Sequence, residues 1–155
     1  MDDWHDTPPT TQGGDLHWIW APYAIYQKID RLFDVEAFES GDGFLCAQAA
    51  LSTLETFISL VYLYKAHVSK TSSAPLFGFS AAITTLFKTI LFVSMEVFCG
   101  YCSTGHNSRQ DFLKYWAVPN GIWLLFDFLI VLRLGSDILA SLWVAARAEA
   151  SAKKK

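Results

Sequence analysis

Apolar and polar positions divide the chain into a mixed amino-terminal segment and three long hydrophobic runs. Phe44–Tyr64 reads "FLCAQAALSTLETFISLVYLY" and Leu76–Tyr101 reads "LFGFSAAITTLFKTILFVSMEVFCGY"; a third run extends from Tyr115 to about Val144. Each reaches the roughly 20 residues that an α-helix needs to cross about 30 Å of hydrocarbon. The runs are apolar nearly all round rather than along one stripe, which sets them apart from the helices of a soluble bundle. Two polar connectors separate them, "KAHVSKTSSAP" and "CSTGHNSRQDFLK", the second with Gly105, His106 and Asn107 as turn chemistry. The pattern predicts an all-α integral membrane bundle with three transmembrane helices at about 44–64, 76–101 and 115–144.

The segment before the first run is too polar to span. Residues 1–15, "MDDWHDTPPTTQGGD", are expected to be disordered. The stretch "LHWIWAPYAIYQKIDRLF" is dense in Trp and Tyr, whose rings favour the membrane–water interface, and it predicts an interfacial or re-entrant segment. A membrane domain over 16–146 and a basic tail over 147–155 complete the organisation. Met1–Thr11 lacks the apolar core of a secretory signal, so insertion is expected from the internal runs. Lys28, Arg31, Arg109 and Lys114 flank one side of the predicted spans. Lys65, Lys70, Arg147 and the three terminal lysines flank the other, which favours a cytoplasmic carboxyl terminus.

Each predicted span carries a group that a passive anchor avoids: Glu55, Lys88 and Asp127. A central Asp, Lys or Arg costs about 2.5–3.5 kcal/mol on insertion scales, so such residues usually face a partner or a cavity. Helical spacing puts Gln48, Ser52, Glu55 and Ser59 on one face of the first span, Ser80, Thr84 and Lys88 on one face of the second, and Asn120, Trp123 and Asp127 on one face of the third. Three polar stripes imply a shared polar interior. Two readings stand open: Glu55, Lys88 and Asp127 pair to hold the bundle, or they line a pocket for a lipid-soluble ligand. Pro119-Asn120-Gly121 predicts a kink that turns Asn120 and Trp123 inward; a kinked helix without a ligand is the plainer alternative. Glu96, Arg133 and Asp137, nearer the helix ends, are expected to snorkel to the headgroups.

Composition agrees with a membrane setting: 52% of the 155 residues are hydrophobic and 17% charged, against about 25% charged in soluble domains. The first 43 residues hold nine acids against Lys28 and Arg31. No basic stripe or nucleic-acid-binding motif appears, so a nucleic acid is not an expected partner. Cys46, Cys99 and Cys102 are too few for a disulfide framework. Cys99-Gly-Tyr-Cys102 with His106 has the form of a redox pair or of three zinc ligands, but a structural zinc site wants a fourth. Plain thiols at a membrane boundary are the expectation, with no metal.

Three stretches together resemble the EXPERA-domain membrane proteins, the family of emopamil-binding protein and its relatives in sterol handling, most of all the fungal branch. They are "GGDLHWIWAPYAIYQKID" (13–30), "FLCAQAALSTLETF" (44–57) and "LFKTILF…EVFCGYCSTGHN…YWAVPNGIWLL" (86–125). The resemblance implies a sterol Δ8–Δ7 isomerase-like pocket in a multi-pass protein of the endoplasmic reticulum membrane. There an intramembrane acid protonates a ring double bond, an aromatic face stabilises the cation, and a base removes a neighbouring proton. It assigns Glu55 the acidic position, Asn120 a polar ligand contact and Trp123 the cation-facing indole; Gln48 and Ser52, on the same polar face as Glu55, are expected as further substrate contacts. If active, such a site needs no metal, nucleotide or other cofactor. The family domain has four membrane helices; nothing before Leu16 replaces the first, which supplies a second acid and a histidine in the isomerases, and His5 and His17 lie outside the predicted spans. Asp127 stands where relatives carry proline. A non-catalytic sterol-binding or regulatory protein and a terpenoid isomerase or cyclase of secondary metabolism remain alternatives. The expected partners are a sterol or other hydrophobic small molecule and the bilayer, with homo-oligomerisation left open.

Overall fold

The computed structural model describes Trp18 and residues 25–153. The expected disordered start at 1–15, most of the aromatic interfacial segment, His5, His17 and the last two lysines lie outside the described residues. Every regular element among the described residues is helical. In chain order these are α1, described over residues 25–29, a 3₁₀ turn Arg31–Phe33, and the short α2, Val35–Glu39. The long α3, Gly43–Leu63, and α4, Ala74–Phe98, follow. A single turn, α5, Arg109–Asp111, leads into α6, Val118–Ala152.

Local chemistry sets where these helices start and stop. Asp42 Oδ1 accepts from the backbone N–H groups of Phe44 and Leu45, both at 2.9 Å, satisfying two donors that the start of α3 leaves free. Its last turn widens into π-type geometry over Tyr64–Val68. Helix α4 ends three residues before the sequence reading expects. Gly100 takes a left-handed φ of 75°, its N–H reaches Val97 O at 3.2 Å, and the Tyr101 N–H reaches Glu96 O at 2.8 Å. This pair of bonds is a Schellman stop, and glycine is the residue that makes it cheap. Ser108 caps α5 through the Asp111 N–H at 3.1 Å. Phe112–Ala117 is again π-type and leads without a break into α6, so Pro119 lies inside one continuous helical run and its missing N–H leaves a carbonyl of the preceding turn without that donor. Helix α6 runs past the expected end near Val144 because "AARAEASA" is rich in strong helix formers.

Gly43–Val68 and Ala74–Phe98 are long and apolar enough to cross a membrane. Helix α6 has the length, 35 residues, but carries Asp127, Arg133 and Asp137 along its apolar part. Large apolar side chains point outward on all three: Phe57 is 66% exposed, Phe87 63% and Phe126 58%. Exposed apolar surface on this scale marks a face that meets lipid or another apolar partner.

The described chain gathers into two compact units. The first holds Cys46 and the described residues before it, together with Met95–Pro119; the second holds Ala47–Ser94 and Asn120 onward. In the second unit, helices meet at small residues. A Cβ built on Gly78 would lie 2.8 Å from Leu134 Cδ1 and 2.9 Å from the Tyr62 ring, and one on Gly135 3.3 Å from Phe79. Small residues allow this close approach, the usual device where helices pack without water around them. The first unit closes on polar contacts. Asp30, with no exposed surface, accepts from Leu32 N at 3.0 Å and Trp116 Nε1 at 2.9 Å. Asn107 Nδ2 donates to Ile29 O at 2.6 Å, and Arg31 N donates to Ser103 O at 3.2 Å.

Candidate functional site

The polar face expected on α3 is the face that organises the second unit. Gln48, Ser52 and Glu55 recur on it one turn apart, and Lys88 of α4 reaches all three. Its Nζ donates to Glu55 Oε2 at 2.6 Å and to Ser52 Oγ at 2.8 Å, while Gln48 Nε2 donates to the Lys88 carbonyl at 3.4 Å. The Lys88 and Glu55 side chains are 15% and 21% exposed, so the pair is largely withdrawn from its surroundings. A cation and an anion that close satisfy each other where water does not reach, which answers the cost of placing either one inside an apolar helix.

The stripe expected on α4 reduces to Lys88 alone. Ser80 and Thr84 spend their hydroxyls on carbonyls four residues back, Ser80 Oγ on Leu76 O and Thr84 Oγ1 on Ser80 O, each at 2.8 Å. Such local bonds are the ordinary way a hydroxyl is satisfied within an apolar helix.

Glu55 also faces a cavity of about 350 Å³. Ser59, Tyr62, Trp123, Asp127 and Ile130 are among its walls, with Ala81 and Ala82 supplying the small-residue floor on α4. The size falls in the range of about 300–1,000 Å³ typical of small-molecule sites. Two carboxyl groups, Glu55 and Asp127, therefore meet one apolar space beside an indole. They differ in what holds them. Glu55 accepts from Lys88, whereas Asp127 is 6% exposed and its Oδ2 has no hydrogen-bond partner among the described residues. An unsatisfied buried oxygen of this kind normally points to a ligand contact or a strained functional group.

Of the residues singled out from sequence, Glu55, Ser59, Trp123, Asp127 and Arg133 line this cavity. Gln48 and Ser52 instead serve the Lys88 side of the ion pair. Asn120 is buried at 9% exposure on the same helix as Trp123, outside the cavity wall. Trp123 is 61% exposed, so its indole borders the cavity with much of its surface still open. Arg133 and Asp137 form an exposed i,i+4 pair at 3.0 Å, and Arg133 also lines the cavity.

Two expectations are corrected in the first unit. Glu96 does not snorkel: at 1% exposure it is held by Thr104 N at 2.8 Å, Thr104 Oγ1 at 2.6 Å and Ser103 N at 3.2 Å. The loop after α4 folds back over it and supplies donors that the sequence pattern does not announce. Cys99 and Cys102 are not plain thiols but a disulfide, made reachable because Gly100 and Tyr101 turn the chain back and bring the two Cα atoms to 5.6 Å. His106 takes no part with them; its Nε2 meets the Lys28 carbonyl at 2.8 Å. The Asp30–Trp116 bond had no local signal, since the partners are separated by 86 positions.

No family model, curated protein or solved structure matches this chain.

Proposed function

We propose that this chain is a three-span membrane protein of the EXPERA type that holds a sterol or related isoprenoid in the Glu55–Trp123–Asp127 cavity and shifts a ring double bond by proton transfer. The observation that carries the reading is the meeting of two carboxyl groups and an indole around one apolar cavity. An apolar wall fits a fused-ring hydrocarbon, the indole face fits a developing carbocation, and a carboxyl group fits the proton exchange on either side of it. Glu55 takes the proton-transfer position, Trp123 faces the cation, and Gln48 and Ser52 hold the Lys88 side of the Glu55 network. Asn120 is the polar group one helical turn from Trp123. The third span in this reading is α6, with Asp127 turned to the interior, and the compartment is the endoplasmic reticulum membrane.

A second reading, a sterol-binding or regulatory protein without turnover, is favoured by one observation. Glu55 accepts from the Lys88 ammonium at 2.6 Å, and a carboxylate committed to a cation is a structural tie as much as a proton donor.

Expression in cells lacking sterol Δ8–Δ7 isomerase, with sterols followed by mass spectrometry, separates the two. A Δ7 sterol produced by the parent chain and abolished by Glu55→Gln supports the isomerase. Saturable sterol binding without product, in a well-expressed and membrane-inserted chain, supports the binding protein. Neither product nor binding overturns both.

A further inference from the structure

The loop after α4 carries chemistry that the cavity does not use. Cys99 and Cys102 form a disulfide, and both residues are exposed. Behind the sulfurs lies the buried Glu96, whose Oε2 is 3.8 Å from Cys99 Sγ and 4.0 Å from Cys102 Sγ. The two residues between the cysteines, Gly100 and Tyr101, line a cavity of about 440 Å³ that Thr104, Asn107 and Arg109 also line. Arg109 has no ion-pair partner among the described residues.

We propose that Cys99–Cys102 is a thiol–disulfide exchange centre whose co-reactant is a small carboxylate-bearing thiol, seated in this cavity with its carboxylate on Arg109. Exposure lets an external thiolate reach the sulfurs, and the cavity gives it a place to stand. The direction of attack follows from one hydrogen bond: the Cys102 N–H donates to Cys99 Sγ at 3.2 Å, so negative charge is better accommodated on Cys99. A leaving sulfur that bears charge more easily leaves faster. The external thiolate therefore bonds to Cys102 Sγ, the S–S bond breaks, and its electron pair goes to Cys99.

A second external thiolate then attacks the sulfur of the first in the mixed disulfide, and Cys102 departs with the electron pair. Two small thiols have become one disulfide, the protein pair has gained two electrons, and the two thiol protons end on Cys99 and Cys102. The disulfide sulfurs have no hydrogen to donate, but the new S–H groups do, and Glu96 Oε2 lies within reach of both as acceptor. The basic-residue count that favours a cytoplasmic carboxyl terminus puts this loop on the opposite side, where disulfides persist.

The test uses the full chain in lipid nanodiscs with Cys46→Ser, which removes the exposed free thiol. With excess reduced glutathione as probe, the two thiols are expected to appear together in the folded protein, read by maleimide labelling and intact mass. Adding Cys99→Ser and supplying oxidised glutathione is expected to leave one glutathionyl group on Cys102. Arg109→Ala is expected to slow reduction by glutathione about threefold, in line with an exposed charge pair, while the rate with uncharged 2-mercaptoethanol stays the same. A pair that glutathione reduces only after denaturation is a structural disulfide and overturns the proposal. Equal slowing with both thiols, or none with either, overturns the Arg109 seat.

Discussion

Lys88 of α4 and Glu55 of α3 stand 2.6 Å apart, N to O, with Ser52 as the second acceptor of the same ammonium. Two charges that each oppose insertion are made tolerable by each other, and the contact ties the two most apolar helices of the chain together. Removing one partner strands the other: Lys88→Met is expected to cost about 3 kcal/mol, the scale for breaking a buried pair. The double replacement Lys88→Met with Glu55→Gln should recover at least half of that loss. Thermal unfolding of the purified variants in detergent, arranged as a double-mutant cycle, checks it; additive losses would show that the pair does not couple.

The two glycines Gly78 and Gly121 make a matched comparison. Alanine at Gly78 meets Leu134 and the Tyr62 ring inside 3 Å, whereas at Gly121 nothing among the described residues lies within 4 Å. Overpacking typically costs about 1–3 kcal/mol, against a gain of up to about 1 kcal/mol in helix propensity on replacing glycine. Gly78→Ala should therefore be net destabilising and Gly121→Ala neutral to stabilising. Midpoint temperatures of the two variants against the parent decide it, and a Gly78→Ala as stable as Gly121→Ala would contradict the packing.

Asp30 gives the chain a pH dependence outside the spans. Burial pushes its carboxyl above the ordinary 3.8 and the nearby Glu96 adds to this, while hydrogen bonds from Leu32 and Trp116 and the charge of His106 act the other way. The folded chain thus holds this proton more tightly than the unfolded chain does. Its contribution to stability is full below 3.8 and is lost as pH rises through the folded value. Asp30→Asn should flatten that decline, so the variant gains on the parent as pH is raised from below 3.8 toward neutrality. Unfolding midpoints of both across pH 3–7 are the measurement, and parallel curves would show that Asp30 does not titrate across folding.

Trp116→Phe tests the same bond from its donor side. The indole Nε1–H reaches Asp30 Oδ2 at 2.9 Å, with Trp116 only 4% exposed, so phenylalanine keeps most of the apolar contact and removes the donor. Leaving a buried acceptor short of its partner costs about 1–3 kcal/mol. The loss should be largest near neutral pH and smaller in acid, which a pH series of the variant's unfolding would reveal.

The sequence by itself determined the helices, their approximate reach and the residues that do not belong in lipid. Those are local properties: an unbroken apolar run over 44–64 specifies its helix whatever lies beside it, and Gln48, Ser52 and Glu55 share a face because of helical geometry alone. It also placed Glu55 and Trp123 on the faces that line the cavity. Tertiary structure decided which polar group met which. Lys88 chose Glu55 over Asp127, because side-chain reach between α3 and α4 is fixed by how those helices pack, around Gly78, and not by position within either. Asp127 was left with an unmatched oxygen for the same reason. The burial of Glu96, the Asp30–Trp116 bond and the Cys99–Cys102 disulfide likewise depended on a chain reversal after α4 and on partners up to 86 positions away. A periodicity read within one helix carries no information about contacts at that separation, since they form only once the turns between the helices have set their direction.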